Sequence, residues 1–322
     1  MNRQLQKIMI HINSLGKGGA ERVASLLASR FVQENVDVVV ATEWTEEMEY
    51  EVDKRVRRAH AGLTPEQEKK GRLSKVKCRM DNLRQVILAE KPDAIINCAA
   101  HTNVDACEKE WDLAYQINAI GPRNLSIAAN AVDAKMIHVS TDYVFEGNGT
   151  IPYTEFDEPN PVSAYGKTKL EGEKFVKEFA KKHFIFRTAW LYGDGKNFVK
   201  TMLRLSETYE QVNVVCDQLG TPTSAKELAK MIRHLENTEN YGTFHATCEG
   251  DTNWAAFTEE IFRLTGKSTK VNHVTSEQYA QMNPASAKRP AFSILDNYML
   301  KLTSDYRMAD WHDALKEYLD EN

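Results

Sequence analysis

The chain has 322 residues, 42% of them apolar and 27% charged, with a formal net charge of −5. This length suffices for one large α/β domain or two smaller ones, and the charge balance argues against a nucleic-acid partner. Apolar runs fall well short of the roughly 20 residues that span a bilayer. The segment from Met1 to Lys7 lacks the apolar stretch of a secretory signal. We therefore expect a cytoplasmic protein without a membrane span.

The cysteines are scattered along the chain, and no pair has the spacing of a zinc site. They are Cys78, Cys98, Cys107, Cys216 and Cys248. In a cytoplasmic protein such residues are expected to be reduced, mostly buried thiols. The sequence predicts no metal site, and no residue pattern indicates magnesium, although magnesium is compatible with the function inferred below.

The first third of the chain alternates apolar runs with helical periodicity. Lys7–Ile12 is predicted to be a strand, followed by the glycine-rich segment Gly16–Gly19 and a helix over Glu21–Gln33. Val36–Ala41 is a second strand. Ala94–Ala99 is a third, and it is entered from a proline that cannot continue a helix.

The same alternation continues beyond residue 110. Helices are predicted over Leu113–Val132 and Tyr165–Phe179, and strands over Met136–Ser140, His183–Arg187 and Val212–Cys216. Continuous apolar strands alternating with helices indicate a parallel sheet that is covered on both faces. With right-handed crossovers, the predicted fold is α/β, a doubly wound parallel sheet of Rossmann type with a smaller α/β substrate lobe.

The character of the sequence changes near Trp190. Loops there carry Gly, Pro, Asn and Thr, as in Tyr192–Gly195 and Gly220–Thr223, and the predicted helices are shorter. We therefore expect a dinucleotide-binding domain over residues 1–188. Residues 189–322 are expected to form mainly a substrate-binding lobe, with some segments returning to the sheet.

Tyr165 and Lys169 form the first candidate catalytic pair. They are four residues apart on a predicted helix and therefore share one face. A protonated lysine nearby lowers the pKa of a phenol, which makes Tyr165 a proton donor to a carbonyl that receives hydride. The alternative is coincidence, because a chain with 12 tyrosines and many lysines produces this spacing by chance.

Two strand ends supply further candidates. Ser140–Phe145 follows a predicted strand directly, where hydroxyl groups can hydrogen-bond a substrate oxygen or merely cap their own backbone. Asn97–Thr102 follows another strand. Its small residues let a flat cofactor approach the backbone closely; the alternative is close helix–strand packing.

Together these segments resemble the dTDP-4-dehydrorhamnose reductases, which are extended short-chain dehydrogenase/reductases of dTDP-rhamnose synthesis. The segments that carry the resemblance, in matching order and spacing, are Asn97–Asp105, Asn118-Ala119, Ser140–Phe145, Ser163–Glu173, Arg187–Gly193 and Gly220–Ser224. The resemblance covers roughly residues 91 to 322. It implies reduction of a dTDP-linked keto-sugar, dTDP-4-dehydro-6-deoxy-L-mannose, by NADPH or NADH, in a monomer or homodimer. The product, dTDP-L-rhamnose, is a precursor of surface polysaccharide.

The resemblance also implies roles for individual residues. Thr141 and Tyr165 bind the C4 carbonyl oxygen of the sugar, Tyr165 delivers the proton, and Lys169 holds the nicotinamide ribose. The residues expected to line the cofactor are Ala99, Ala100 and His101. Those expected at the substrate are Thr141, Asp142, Trp190 and Thr221. The alternatives are an ordinary core tryptophan for Trp190 and a surface histidine for His101.

The first 90 residues depart from this family. Its G-x-x-G-x-x-G loop is replaced by one in which Asn13 takes the place of the first glycine, with Gly16 and Gly19 in the other two. Because asparagine carries a side chain where room is scarce, we expect weak cofactor binding, partly offset by Lys17. Residues 1–90 also resemble a family 4 glycosyltransferase N-terminus, on the segments Ile12–Val23, Tyr50–Asp53 and Lys70–Lys75. A hybrid chain is therefore one hypothesis.

Cofactor preference depends on the end of the second strand. A carboxylate at Glu43 accepts a hydrogen bond from the 2′-hydroxyl of the adenosine ribose and repels a 2′-phosphate, which favours NADH. Arg55, Arg57 or Arg58 could instead fold back onto the phosphate. The ten Lys/Arg residues between Lys54 and Arg79 could contact an anionic surface, or could simply be a solvated helix face with its flanking loop.

Three functions compete at this stage. The leading hypothesis is an NAD(P)H-dependent reductase. A non-catalytic sugar-nucleotide binding protein would retain the site but not hold the dinucleotide. A glycosyltransferase would need a Glu-x7-Glu motif in a glycine-rich setting, and residues 200–322 have no convincing counterpart.

Overall fold

The computed structural model describes residues 5–16, 19–193, 197–282 and 289–321. The strands in this part of the chain are β1 (Lys7–His11), β2 (Asp37–Thr42), β3 (Arg57–His60), β4 (Ala94–Asn97), β5 (Lys135–Thr141), β6 (His183–Thr188), β7 (Leu191–Tyr192), β8 (Gln211–Val215), β9 (Leu219–Gly220), β10 (Thr223–Ser224), β11 (Gly242–His245), β12 (Thr252–Asn253) and β13 (Lys270–Val274).

The helices are α1 (Gly19–Gln33), α2 (Arg72–Glu90), α3 (Val104–Lys109), α4 (Trp111–Tyr115), α5 (Gly121–Ala131), α6 (Ala164–Phe179), α7 (Phe198–Ser206), α8 (Ala225–Leu235), α9 (Trp254–Thr265), α10 (Ser276–Met282), α11 (Tyr298–Thr303) and α12 (Trp311–Glu321). Within the described residues, none of these helices is long and apolar enough to cross a membrane.

Seven parallel strands form the central sheet, in the order β11-β6-β5-β4-β1-β2-β3. The chain order reverses between β1 and β4, which is the point where Rossmann-type sheets bind ligands. All four residues of β4 are buried, as expected for a strand in a sheet that helices cover on both faces. The predicted doubly wound parallel sheet is confirmed.

Helices cover both faces of this sheet. One face packs against α1 and α8 through Val23, Phe31 and Ile232. The opposite face packs against α2 and α5 through Ile87 and Leu125. Burial of these two apolar layers holds the strand ends, and hence the loops that follow them, in fixed positions.

The structure contains elements that the sequence pattern did not predict. The strand β3 lies at the sheet edge and reads Arg-Arg-Ala-His, with all four residues half-buried or exposed, so it lacks the apolar run of a central strand. Helix α2 is polar over most of its length. The predicted helix Leu113–Val132 is interrupted by a π-helical turn over Gln116–Ile120, just before the proline at the start of α5.

A second cluster of apolar residues lies after residue 190. It joins α7, α9 and α12 with the parallel pair β8 and β13, through buried residues that include Tyr192, Val199, Phe257 and Trp311. Strand β11 from the same part of the chain joins the central sheet beside β6. The sequence after residue 188 therefore contributes to both packing units.

The described cysteines are all unpaired, and three of them are buried. The burial of three of the five agrees with the prediction that most of these thiols are buried.

Candidate active site

Helix α6 carries the predicted catalytic pair. The Ser163 hydroxyl caps the helix by accepting a hydrogen bond from the Gly166 N–H at 3.1 Å. A Cβ added at Gly166 would lie 2.1 Å from the Tyr143 carbonyl oxygen, so only glycine lets the helix approach the segment after β5 so closely. The first turn of α6, with Tyr165, is therefore held directly against Thr141–Tyr143.

Thr141, Asp142 and Tyr165 come together at this contact. The Thr141 hydroxyl donates to Asp142 Oδ1 at 2.8 Å, and Thr141 Oγ1 accepts from the Tyr143 N–H at 3.3 Å. Tyr165 is hydrogen-bonded to Thr141, and its ring packs edge-on against Tyr143 with the centroids 5.4 Å apart. Two hydroxyl groups and a carboxyl group thus converge beside the C-terminal end of β5.

Burial changes the acidity of two of these groups. Burial raises the pKa of Asp142 to about 6, against the opposing effect of hydrogen bonds from Thr141 and Ser293. Burial also raises the pKa of the Tyr165 phenol, and the Asp142 carboxylate adds to this increase. The predicted lowering of the Tyr165 pKa by Lys169 is therefore not present in this arrangement, because desolvation of the phenol dominates.

Lys169 is 2% exposed. Its ammonium nitrogen donates to the Val139 carbonyl oxygen at 2.7 Å and lies 3.5 Å from His138 Nε2. Burial lowers its pKa to about 8, although Glu173 and Cys98 act to raise it. The side chain is therefore fixed against β5, two residues before Thr141.

A buried ion pair connects α6 to the central sheet. Glu173 accepts three hydrogen bonds from Arg187, the shortest at 2.7 Å, and one from the Ser140 hydroxyl at 2.6 Å. Burial acts to raise the pKa of Glu173, but Arg187 reverses this effect and holds it below its usual value. This bidentate contact ties α6 to β5 and β6.

A cavity of about 410 Å³ opens at the carboxyl ends of β1, β2 and β4, where Rossmann-type folds hold a dinucleotide. Of the predicted cofactor residues, Asn13, Glu43 and Ala99 line it. Its wall also includes apolar residues of the helices on that face, among them Leu83, Ile87, Ile117 and Leu125. A cavity with an apolar wall of this kind fits the adenosine half of a dinucleotide.

The charged groups around this cavity differ from those expected. Glu43 pairs with Arg79 of α2 at 3.4 Å, and both line the cavity together with Arg84. The sequence analysis did not predict a role for Arg79 or Arg84. The only signal in the sequence was the high density of lysine and arginine residues between Lys54 and Arg79. The arginines named as alternatives are bound elsewhere, to Asp53, Asp37, Glu90 and Glu49.

The first loop, which connects β1 to α1, is bordered by acidic side chains. The Asn13 carbonyl oxygen accepts from the Glu43 and Trp44 N–H groups, and Asn13 does not adopt a positive φ. Gly16 pairs with Glu49, and Gly19 begins α1. Lys17, which was expected to contact the pyrophosphate, lies outside the described residues.

Ala100 and His101 continue the loop after β4 but are not among the described residues that line the 410 Å³ cavity. Asn118, in the π-helical turn, accepts from the His101 N–H at 2.8 Å and donates to the His101 carbonyl oxygen at 3.1 Å. The His101 ring lies 3.5 Å from Glu110. The backbone of His101 is thus held, and its ring turns toward α3 and α4.

A second cavity, of about 600 Å³, lies between the two packing units. Trp190 lines it, has a φ of 47°, and stacks on Trp254 with the ring centroids 3.6 Å apart. A Cβ at Gly220 would lie 2.5 Å from the Trp190 ring, which therefore needs glycine on that side. A bulky residue held in the left-handed region is typical of a functional site.

Other residues of this cavity were not predicted. Tyr143, Trp254, Arg289 and Ser293 line it, and Arg289 is paired with Asp105 at 2.9 Å. Neither Trp254 nor Arg289 has a local sequence signal, since each reaches the cavity from a distant segment of the chain.

Thr221, predicted to lie at the substrate, is packed inside the loop that carries it. Thr221 is 1% exposed, and its hydroxyl donates to the Gly250 carbonyl oxygen at 2.8 Å. Thr221 is not among the described residues that line the 600 Å³ cavity. Its hydroxyl is instead bonded to a buried backbone carbonyl in the packed loop. Within the described part of the chain, no group of three or more His, Cys, Asp or Glu residues could hold a metal ion.

A parallel sheet of this order, with a Tyr-x-x-x-Lys pair on the helix that follows β5, defines an extended short-chain dehydrogenase/reductase. Residues 15–322 match the family model described as the RmlD substrate binding domain. The dTDP-4-dehydrorhamnose reductase of Escherichia coli (strain K12) is 38% identical over 253 residues, which are 75% of this chain and 83% of the relative.

Two solved structures are similar over almost the whole chain. A dTDP-4-dehydrorhamnose reductase from Clostridium acetobutylicum ATCC 824 is 44% identical, with a TM-score of 0.81, and the match covers 98% of this chain and 99% of that chain. One from Bacillus anthracis strain Ames, in complex with NADP, is 36% identical, with a TM-score of 0.82 and the same coverage. The chain belongs to the RmlD substrate binding domain family.

These comparisons also bear on the N-terminal segment. The family match begins at residue 15 and continues past residue 91, where the reductase resemblance was expected to begin, without a change of family. The hypothesis of a glycosyltransferase hybrid therefore finds no support, and the reductase hypothesis is favoured over its two competitors.

Proposed function

We propose that this protein reduces dTDP-4-dehydro-6-deoxy-L-mannose to dTDP-L-rhamnose with NADPH or NADH. The observation that carries the proposal is that the catalytic pair on α6 is connected to the walls of both cavities. Lys169 lies 3.5 Å from His138, which is hydrogen-bonded to Asn97 in the wall of the 410 Å³ cavity, while Tyr143, which packs on Tyr165, lines the 600 Å³ cavity. The reacting carbon of a sugar nucleotide and the nicotinamide ring would meet beside Tyr165.

When bound, the dinucleotide supplies the hydride. Tyr165 donates its hydroxyl proton to the C4 oxygen, and Thr141 donates a second hydrogen bond to the same atom. In the structure these donors are occupied, since the Thr141 hydroxyl bonds Asp142 and Tyr165 bonds Thr141. The substrate oxygen thus replaces existing hydrogen bonds, and the donors are already within reach of a single acceptor.

Lys169 binds the nicotinamide ribose in this proposal and stabilises the phenolate that Tyr165 forms. The cofactor residues are Asn13, Gly16, Gly19, Glu43, Ala99, Ala100, His101, Tyr165 and Lys169. The substrate residues are Thr141, Asp142 and Trp190, with Trp190 packing on the sugar. Residues 1–188 and 189–322 remain the proposed dinucleotide and substrate domains, in a cytoplasmic monomer or homodimer.

The test is oxidation of NADPH and NADH by the purified protein, followed at 340 nm with and without the keto-sugar nucleotide. Oxidation should require the sugar nucleotide, and the product should be dTDP-L-rhamnose by mass and NMR. Because Glu43 is present but partly neutralised by Arg79, we expect both cofactors to work with a modest bias to NADH. Cofactor binding without turnover would show that the proposed substrate is wrong. A hundredfold preference for NADPH would show that Glu43 does not have the proposed role.

A further inference from the structure

Three polar side chains occupy one row across the buried centre of the sheet. His11 of β1 is in register with Asn97 of β4, and Asn97 is in register with His138 of β5. His11 Nδ1 lies 3.1 Å from Asn97 Oδ1, and Asn97 Nδ2 lies 3.1 Å from His138 Nδ1. Polar groups buried in a parallel sheet must be hydrogen-bonded to be tolerated, so the hydrogen bonds of this row fix the positions of its protons.

The Asn97 amide determines which nitrogen of His11 carries the proton. Asn97 Oδ1 also accepts from the Ala99 backbone N–H at 3.2 Å, and a flipped amide would place its NH2 group against that N–H. Oδ1 therefore faces His11, and His11 Nδ1 must donate to it. Burial lowers the pKa of His11, although Asn97 and Glu43 act to raise it, so the ring is neutral near pH 7. His11 Nε2 consequently carries a lone pair and no proton.

This lone pair has no donor within the described part of the chain. His11 is 5% exposed, and its buried Nε2 lacks a hydrogen-bond partner among the described residues. The His11 ring lines the 410 Å³ cavity beside Asn97. Because a buried acceptor without a partner is unfavourable, we expect the missing donor to belong to a molecule that binds in this cavity.

A second polar atom in the wall of the same cavity lacks the complementary partner. Asn124 of α5 lines the cavity, and its Oδ1 accepts from Arg123 Nη1 at 3.4 Å. Its Nδ2 is buried and has no acceptor among the residues that the structure describes. The wall is therefore complementary to a ligand that presents one donor and one acceptor.

The inner part of the cavity is apolar. Ile87 of α2 and Leu125 of α5 line it, and each is 1% exposed. His11 projects from β1 on the same side as Met9, which belongs to the same apolar cluster as these two residues. Glu43, at the end of β2, is only half-buried. A flat base therefore fits the inner wall beside His11, while the polar ribose fits near Glu43.

We propose that His11 recognises adenine by accepting a hydrogen bond at Nε2 from the exocyclic 6-amino group of the base. Asn124 donates from Nδ2 to a ring nitrogen of the same base. Adenine presents an amino donor close to a ring-nitrogen acceptor, which is the pair of groups that the cavity wall lacks. The inference rests on the proposed binding of a dinucleotide in this cavity, and it makes His11 a specificity-determining residue for the cofactor.

Asn97 makes this recognition selective. Hypoxanthine carries an oxygen in place of the 6-amino group, so it would set a second acceptor against His11 Nε2. His11 cannot respond by changing its tautomer, because Asn97 Oδ1 holds the proton on Nδ1. Asn124 can respond, since a single long hydrogen bond orients its amide. The discrimination between the two bases is therefore expected to depend on His11.

The first experiment compares the dissociation constants of NADH and reduced nicotinamide hypoxanthine dinucleotide, both measured by nicotinamide fluorescence without any sugar nucleotide. The wild-type protein should bind NADH about tenfold more tightly or better, as expected when a buried hydrogen bond is lost. In His11→Leu the two constants should agree within about threefold. His183→Leu is the control, because His183 lies at the amino end of β6, away from the cavity, and should keep the wild-type ratio.

Two results of this comparison would overturn the proposal alone. They are equal affinities in the wild-type protein and a wild-type ratio in a His11→Leu protein that is folded by circular dichroism. Failure of both dinucleotides to bind would overturn it together with the assignment of the cavity to a dinucleotide. Selective binding of NADH without turnover of the keto-sugar would support the role of His11 and contradict only the proposed reaction.

The second experiment reads the hydrogen bond directly in wild-type protein labelled with 15N-histidine. The His11 signals are assigned by their loss in His11→Leu. The free protein should show a proton on Nδ1 and none on Nε2, and NADH should move the Nε2 signal upfield, as expected for a nitrogen that accepts a hydrogen bond. The hypoxanthine analogue should not. A proton on Nε2 in the free protein, an Nε2 signal that NADH leaves unchanged, or an equal shift with both dinucleotides, which would indicate a ribose hydroxyl as the donor, would each overturn the proposal.

Discussion

The contact region of α6 and the first loop of the chain are built in opposite ways. Around α6, Thr141, Tyr165 and Lys169 have hydrogen-bond partners drawn from β5 and from each other. In the first loop, the Leu15 N–H donates to Glu49 Oε1 at 3.3 Å, so a carboxylate occupies a backbone donor near the expected phosphate site. Glu46 lies beside Gly16, with its Cγ 3.0 Å from where a Cβ would be.

Acidic groups crowd this loop. Burial raises the pKa of Glu21 in the first turn of α1, and Glu46 adds to the increase. Burial acts to raise the pKa of Glu49 as well, but hydrogen bonds from Arg58 and backbone N–H groups hold it below its usual value. A dinucleotide pyrophosphate binding near these carboxylates meets like charge. Proton delivery and cofactor affinity are therefore set by separate parts of the molecule, and we expect them to respond to separate mutations.

The largest effect is expected at the α6 contact region. Tyr165→Phe removes the proton donor while keeping the ring that packs on Tyr143, so kcat should fall by on the order of 10² to 10⁴ with little change in cofactor affinity. Steady-state kinetics and NADPH titration measure the two quantities. Tyr209→Phe, at an exposed site, is the control. Turnover close to wild type would remove Tyr165 from the mechanism.

The packing of α6 is tested by Gly166→Ala. The new Cβ would meet the Tyr143 carbonyl oxygen at 2.1 Å, so the helix must move away. We expect a loss of about 1–3 kcal/mol in unfolding free energy, measured by urea denaturation, together with lower kcat. Gly71→Ala is the matched control, because nothing lies within 4 Å of its added Cβ. Equal stabilities of the two variants would show that the close approach is unimportant.

The buried carboxyl of Asp142 should make stability depend on pH. Its pKa in the folded protein is raised from 3.8 to about 6, so ionisation costs the folded state stability as pH rises from about 4 to 6. Asp142→Asn should therefore be more stable than wild type above pH 6, by on the order of 2 kcal/mol, and not below pH 4. Thermal melts across pH measure this. The exposed control Asp251→Asn should follow wild type, and a gain that persists at pH 4 would contradict the assignment.

The smallest effect is expected in the first loop. Glu46→Gln removes one exposed negative charge beside Gly16, so affinity for NADPH should increase by about two- to fivefold at low salt and less at high salt. Fluorescence titration of NADPH measures it, with exposed Glu47→Gln as the control. Wild-type affinity should be weak. A value in the nanomolar to low-micromolar range would show that Asn13 and its acidic neighbours do not hinder dinucleotide binding.

Much of the α6 region could be predicted because its signals are local. The spacing of Tyr165 and Lys169 places both on one face of any helix, and the strand before Thr141 is visible in its apolar residues. The cofactor side was predicted less completely. Glu43 was found at a strand end, but its partner Arg79 belongs to a polar helix whose apolar face gives little periodic signal.

The amino-acid sequence alone was enough to predict the doubly wound sheet, the helix with Tyr165 and Lys169, and the family resemblance, because periodicity and short spacings are properties of single elements. The inward position of Thr221 and the stacking of Trp254 on Trp190 are seen only in the folded chain. It alone aligned His11, Asn97 and His138, which are 86 and 41 residues apart in the chain. Such contacts depend on strand register and side-chain packing between distant segments, which no local pattern encodes.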